Sequence, residues 1–189
     1  MSKGDPERQR AKAVNFGLSF GMGAEKFQRV AARDYGVDVT LKQAKAAKKK
    51  LLDTYPGIGR WHAEEAAKSE AEDFETFTLL GRPRVVEPGK GGKPAFTERL
   101  NAPVQGTAAD ILKLALAKLW EDRDRHKDAL PILTVHDEIV LECDKESAEE
   151  TAAWLISVLR DAVEMVLGHP ELAGEDAVET SIMGSWGAG

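Results

Sequence analysis

At 189 residues, 42% hydrophobic and 31% charged, the chain carries enough apolar material for one compact domain or two small ones, which excludes disorder throughout. A single cysteine, Cys143, permits no internal disulfide and favours a reducing, intracellular setting, and the four histidines, His62, His126, His136 and His169, fall at no zinc-site spacing. No apolar run is long enough to cross a bilayer and no basic-then-apolar leader opens the chain, so a soluble protein with no membrane partner is expected. The formal net charge of -6 hides an asymmetry: residues 1–60 carry +7 and residues 61–189 carry -13. The amino-terminal part could therefore bind an anion, although a run such as Lys48-Lys49-Lys50 is ordinarily only a solvated helix face.

In chain order, residues 7–20 lack proline and end in Gly21-Met22-Gly23, which predicts a helix stopped by glycine. A second helix is expected over 24–34 with Gly36 as its cap. A third runs from the capping residue Thr40 to about Asp53, and a fourth runs from about Gly59 to Ala71 after the Tyr55-Pro56-Gly57 break. From Phe74 the pattern turns β-rich, Thr76 to Leu80 and then Val85-Val86 around Gly81-Arg82-Pro83, which predicts a short hairpin with a basic turn, followed by a loop over 87–94. After Pro103, the segment 108–120 predicts a mostly buried helix through Ile111, Leu112, Leu114, Leu116 and Leu119. Residues 131–143 predict strand, tight turn and strand with His136-Asp137-Glu138 at the tip, residues 147–167 a long amphipathic helix, and residues 177–183 a final strand. No internal repeat is present.

Three places carry chemistry. Arg8, Lys12, Phe16 and Phe20 recur every fourth residue, a helical stripe with cations first and rings after, matching the order of a triphosphate and a base. Gly17 and Gly21 leave room for close approach. On pattern alone the same stripe is ordinary core packing. Asn101 and Gln105, four apart, would present amide donors to minor-groove acceptors, which lie at nearly constant positions in every base pair, or would simply cap a helix. Asp137 on a tight turn would be a rigid, exposed carboxylate of the kind that holds Mg²⁺ for in-line phosphoryl transfer, or part of a polar hairpin turn.

The literal strings narrow these alternatives. Arg8-Gln-Arg-Ala-Lys12-Ala-Val-Asn15-Phe16-Gly17-Leu-Ser-Phe20-Gly21 resembles motif B of family A DNA polymerases, the group containing bacterial DNA polymerase I and phage replicases. Asn101-Ala-Pro103-Val-Gln105-Gly106-Thr107-Ala-Ala-Asp110 resembles the primer-template segment of that family, and Leu133-Thr-Val-His136-Asp137-Glu138-Ile-Val-Leu-Glu142 its motif C, in the expected order. The hairpin Thr78-Leu-Leu-Gly81-Arg82-Pro83-Arg84 and the ending Gly184-Ser-Trp186 extend the likeness from about Asp5 to the carboxyl end.

The resemblance implies an α/β fold of the α+β kind, with a helical fingers part over 1–95 and a partial antiparallel palm sheet with packed helices over 96–189. It implies a DNA-directed DNA polymerase, with the catalytic group formed by Asp137, Glu138 and Lys12. Arg8 and Lys12 would hold the incoming deoxynucleoside triphosphate, Phe16 would pack by its sugar and base, and Phe20 would stand near the template base. Asn101, Gln105, His136, Arg82 and Arg84 would contact primer-template DNA, and Asp137 would bind metal in a two-Mg²⁺ site of which this chain supplies half. Relatives commonly have tyrosine where this chain has Phe20, so a hydroxyl is missing there. An arginine common in the family falls near Thr97, with Arg99 an open substitute. The second catalytic aspartate, on motif A, is expected on an upstream polypeptide, since the nearest match, Asp34-Tyr35-Gly36, sits at a predicted helix end. Little synthesis is expected from this polypeptide alone, and the alternative is a noncatalytic DNA- or nucleotide-binding remnant. The implied location is the cytoplasm of a bacterial or phage-infected cell.

Overall fold

A computed structural model describes residues 6–186, apart from the side chains of Pro6 and Lys90. The chain is α+β and divides into two compact units, residues 1–76 with 83–103, and residues 77–82 with 104–189. No helix among the described residues is long and apolar enough to cross a membrane.

The first unit is mainly helical: α1 (Pro6–Ala13), a π-helical segment (Val14–Leu18), α2 (Ala24–Tyr35), α3 (Leu41–Thr54) and α4 (Pro56–Glu70). Its core joins Ala13, Leu18, Phe27, Ala31, Ala44 and Leu51, inward positions of four successive helical pieces, with Val37 of the link between α2 and α3. Helix α3 starts where the sequence places its cap. The Thr40 hydroxyl accepts from the Gln43 amide at 3.2 Å, and the Gln43 side chain accepts the Thr40 amide at 2.8 Å, so two orphan donors are satisfied reciprocally. Helix α4 begins earlier than expected because Pro56 occupies its first turn, where a missing N–H costs nothing.

The predicted helix over 7–20 is the first correction. Its α-helical part ends at Ala13 and residues 14–18 wind as a π-helix, with the Met22 amide donating to the Gly17 carbonyl five residues back at 3.1 Å. Gly17 and Leu18 are both buried there, and a side chain at Gly17 would come within 3.1 Å of the Phe27 ring.

The hairpin strands β1 (Glu75–Phe77) and β2 (Pro83–Val85) follow, then α5 (Phe96–Asp122), which contributes its first turns to the first unit and the remainder to the second. Helix α5 starts well before Pro103, not after it. Pro103 forgoes one i→i−4 bond inside the helix, while Leu100 and Ala102 in the turn before it are buried.

The second unit packs α5 against α6 (Ala148–Leu167) through Ala115, Leu119, Val158 and Ala162, with Trp154 and Leu155 alongside. Strands β3 (Ala129–Val135) and β4 (Glu138–Cys143) form a two-stranded antiparallel sheet in which Val135 pairs with Glu138 and Ala129 with Cys143. A register shift lies between Pro131 and Leu133, where proline cannot donate to the ladder. Ile139 and Leu141 reach the core, while Leu130 and Ile132 of β3 stay 61% and 53% exposed. The strand expected over 177–183 does not form: residues 178–183 adopt no regular structure. A strand needs a neighbour to take its backbone hydrogen bonds, and among the described residues this segment pairs with none.

Candidate nucleotide and metal site

In the first unit, α1 and the π segment carry the predicted triphosphate stripe. Arg8 and Lys12 stand one α-helical turn apart, both half-buried, and neither has a carboxylate within ion-pair distance among the described residues. Phe16 lies in the π segment and is 60% exposed, and Phe20 is half-buried two residues beyond the segment's end. An aromatic ring that belonged to the core would be covered, so Phe16 is displayed, not packed.

The end of this helix is clamped by residues that sequence reasoning missed. The carbonyl of Ser19 lies 2.7 Å from His62 Nε2, and because a carbonyl only accepts, His62 of α4 donates its Nε2–H there. The His62 ring meets Phe96 of α5 edge-on at 5.9 Å and 84°. Gly21 has φ +77°, and a side chain at that position would lie 2.6 Å from Leu100 Cδ1 and 2.7 Å from Phe96 Cε1. Backbone conformation and space both demand glycine.

Arg99, the open substitute for a DNA-contacting arginine, has another task. It is 1% exposed, donates Nε–H to Glu65 Oε2 at 2.9 Å, and also donates to the Asp73 carbonyl. Glu65, itself buried, accepts from Lys68 at 2.6 Å. Arg99 therefore ties α4, α5 and the approach to β1 together, and its guanidinium is not available to a phosphate. Sequence reasoning placed Glu65 in a helix and assigned no element to Arg99, and nothing local reveals a partnership between residues 34 positions apart.

In the second unit, β3 and β4 hold the two-residue turn His136-Asp137. Glu138, expected at the tip, is the first residue of β4. Asp137 and Glu138 are both exposed, and Asp137 has no ion pair or hydrogen bond to another described side chain. His136 sits at φ +55°, a left-handed conformation that costs an L-residue on the order of 1 kcal/mol. A glycine or asparagine would be the ordinary choice at such a hairpin tip. Among the described residues no group of three or more His, Cys, Asp or Glu is gathered to hold a metal. Asp137 and Glu138 are exposed oxygen donors of the type Mg²⁺ takes, an ion that needs only one or two protein carboxylates and completes its shell with water and phosphate oxygens.

Asn101 and Gln105 are both exposed, four apart on α5, and Asn101 lies inside the helix, which removes the capping alternative for it. The basic hairpin turn is engaged internally. Arg82 donates from Nε to Asp110 Oδ1 at 2.7 Å and from its terminal nitrogen to the Gly106 carbonyl at 2.9 Å, and the Leu79 amide donates to the Thr107 hydroxyl at 3.1 Å. Gly106 permits this approach, since a side chain there would lie 2.6 Å from Thr78 Cγ2. The Thr78 hydroxyl foremost, and then the Arg82 guanidinium, hold the Asp110 carboxyl below the usual aspartate range against the opposing effect of desolvation. Arg84 pairs with Glu98 at 3.0 Å. Both arginines keep exposed surface, 43% and 60% of their side chains.

The model of DNA polymerase family A matches residues 3–187. This chain belongs to that family. It is 36% identical over 176 residues to DNA polymerase I of Aquifex aeolicus (strain VF5), covering 91% of this chain and 29% of the relative. It is 33% identical over 184 residues to the thermostable DNA polymerase I of Thermus aquaticus, covering 95% of this chain and 20% of the relative. Among solved structures it is similar to the POL domain of Pol1 from M. smegmatis in complex with DNA primer-template and dNTP, with a TM-score of 0.67 and 26% identity over 85% of this chain and 28% of that one. The chain thus spans less than a third of each of these family A relatives.

Proposed function

We propose that this family A chain is the carboxyl-terminal part of a DNA-directed DNA polymerase, joining deoxynucleotides to a primer on a template in the cytoplasm when combined with an upstream segment that bears motif A and its aspartate. The strongest support is the exposure of the Phe16 ring on a helix whose cations, Arg8 and Lys12, lack carboxylate partners among the described residues. A packing stripe would have buried the ring.

In this reading Arg8 and Lys12 neutralise the triphosphate oxygens, Phe16 lies against sugar and base, and Phe20, held through the neighbouring Ser19 carbonyl, stands at the template base. Asn101 and Gln105 sense minor-groove acceptors, and the exposed faces of Arg82 and Arg84 add phosphate contacts. His136 approaches the primer end. The primer 3′-oxygen would bond to the α-phosphorus as the bond from that phosphorus to the bridging oxygen breaks, the hydroxyl proton passing to water and pyrophosphate leaving, and Asp137 and Glu138 would hold Mg²⁺, which would supply charge neutralisation when bound. The exposed apolar strand β3 supports the need for an upstream partner, whose palm strands would cover it.

Primer extension tests the reading. Mixing this polypeptide with an upstream fragment that carries motif A should restore templated synthesis, and Asp137→Ala in this chain should abolish it. Synthesis unchanged by that substitution would overturn the assignment. Retained binding of triphosphate and DNA with no synthesis under any complementation would leave the noncatalytic alternative. Lys12→Ala should weaken triphosphate binding and leave duplex binding nearly intact.

A further inference from the structure

Helix α3 carries five lysines and one acid, Asp53, in fourteen residues. Its buried side, Ala44 and Leu51, belongs to the core of the first unit, and its start is locked by the Thr40–Gln43 capping box, so the opposite side is held rigidly toward solvent. Lys42, Lys45 and Lys49 occupy that side at i, i+3 and i+7, all exposed. Among the described residues only Lys49 has a carboxylate within ion-pair distance, Asp53 at 2.5 Å. Shortage of acids is not the reason, since the chain has 32 Asp and Glu against 26 Lys and Arg. Like charges three and four apart on a helix repel, so this face gains by meeting an external anion.

We propose that the Lys42–Lys45–Lys49 face of α3 is a second DNA-contacting surface, separate from the Arg8–Lys12 triphosphate stripe, that tracks the phosphate backbone without reading sequence. The three lysines span about 10 Å of helix axis at about 1.5 Å per residue. Successive phosphates of one strand advance about 3.4 Å along a duplex axis, so the stripe matches roughly three of them. The choice of DNA over another polyanion rests on the polymerase reading above. The consequence is a sequence-independent, salt-sensitive grip in the unit that handles the nucleotide.

The test is fluorescence anisotropy of the full chain with a fluorescein-labelled primer-template across a salt series. The triple variant Lys42→Gln, Lys45→Gln, Lys49→Gln should weaken binding at least about tenfold near 50 mM salt and make the plot of log K against log salt shallower by about 2 to 3, as the loss of roughly three phosphate contacts requires. The triple Lys→Arg variant should bind as the unsubstituted chain does, and titration with dATP should be the same in all three. Equal DNA affinity and slope in the glutamine variant would overturn this surface and leave the triphosphate reading standing. Equal weakening in the arginine variant would also overturn it, because a change of fold and not of charge would then be responsible. Self-association abolished by the glutamine variant with DNA affinity unchanged would assign the face to the acidic surface of a second copy. Absence of dATP binding in the unsubstituted chain would count against the polymerase reading itself.

Discussion

The end of the nucleotide helix and the Asp137 hairpin are held in opposite ways. The helix end is held by parts distant in sequence, His62 on the Ser19 carbonyl and Leu100 and Phe96 around Gly21, on helices that the buried Arg99–Glu65 pair joins. The hairpin is held by its own ladder, Val135 to Glu138 outward, with a strained His136 at the turn and exposed apolar residues along β3. A clamp made of nonlocal contacts fixes the end of a helix that carries a stripe of cations and rings. A local turn is enough to present a single carboxylate, because a hairpin needs only its two strands and the turn to orient one side chain.

Breaking the clamp should cost most. Arg99→Ala would leave Glu65 charged and uncompensated in the interior, an expected loss of about 3–5 kcal/mol in urea unfolding, whereas the double variant Arg99→Leu, Glu65→Leu should recover most of it. If the single variant is as stable as the parent, the pair is not what joins α4 to α5. Gly21→Ala should come next, at roughly 1–3 kcal/mol, because it combines a positive φ with a clash against buried Leu100 and Phe96. A neutral outcome at that position would show that the helix end moves freely.

Asp110 lets the comparison be made by pH. Its folded-state pKa is lowered, foremost by the Thr78 hydroxyl and then by Arg82, so the ionised form is favoured on folding. The contribution is present above the ordinary aspartate value, about 3.9, and is lost as pH falls through the lower folded value. Stability followed by circular dichroism below about pH 4 should therefore fall more steeply in the parent than in Asp110→Asn, which carries no titrating group there. Parallel curves would remove Arg82–Asp110 as the tie of the basic turn to α5.

The smallest expected effect belongs to the hairpin, and it should have the opposite sign. His136→Gly relieves the left-handed strain and should raise stability by up to about 1 kcal/mol while impairing synthesis in the complemented enzyme. A loss of stability would mean that the histidine side chain, not its backbone, holds the turn.

Legibility in the sequence follows the same division. The cap at Thr40, the cap at Gly36, a hairpin with His136 and Asp137 in its turn and the amphipathic α6 were readable because each depends on residues within about four positions of one another, whereas the ladder took Glu138 from the expected tip into β4. The π winding at 14–18 was not readable, because the period-four spacing of Phe16 and Phe20 suits an α-helix and no local residue marks the wider turn. The early start of α5 was hidden by Pro103, a residue that signals a helix start locally. The final strand was expected from β-rich residues, and strand formation waits on a partner that composition cannot supply.

By itself, the sequence determined the family through three ordered motifs, the chemical types of the candidate site and the helical and hairpin character of its carriers, because local spacing and residue chemistry carry that information. Tertiary structure alone decided that Arg99 and Glu65 form a buried pair, that His62 holds the Ser19 carbonyl, that Arg82 answers to Asp110 and that the Phe16 ring is displayed and not packed. Those outcomes depend on contacts between residues 28 to 43 positions apart and on what covers a surface. Neither is encoded in any short stretch of chain.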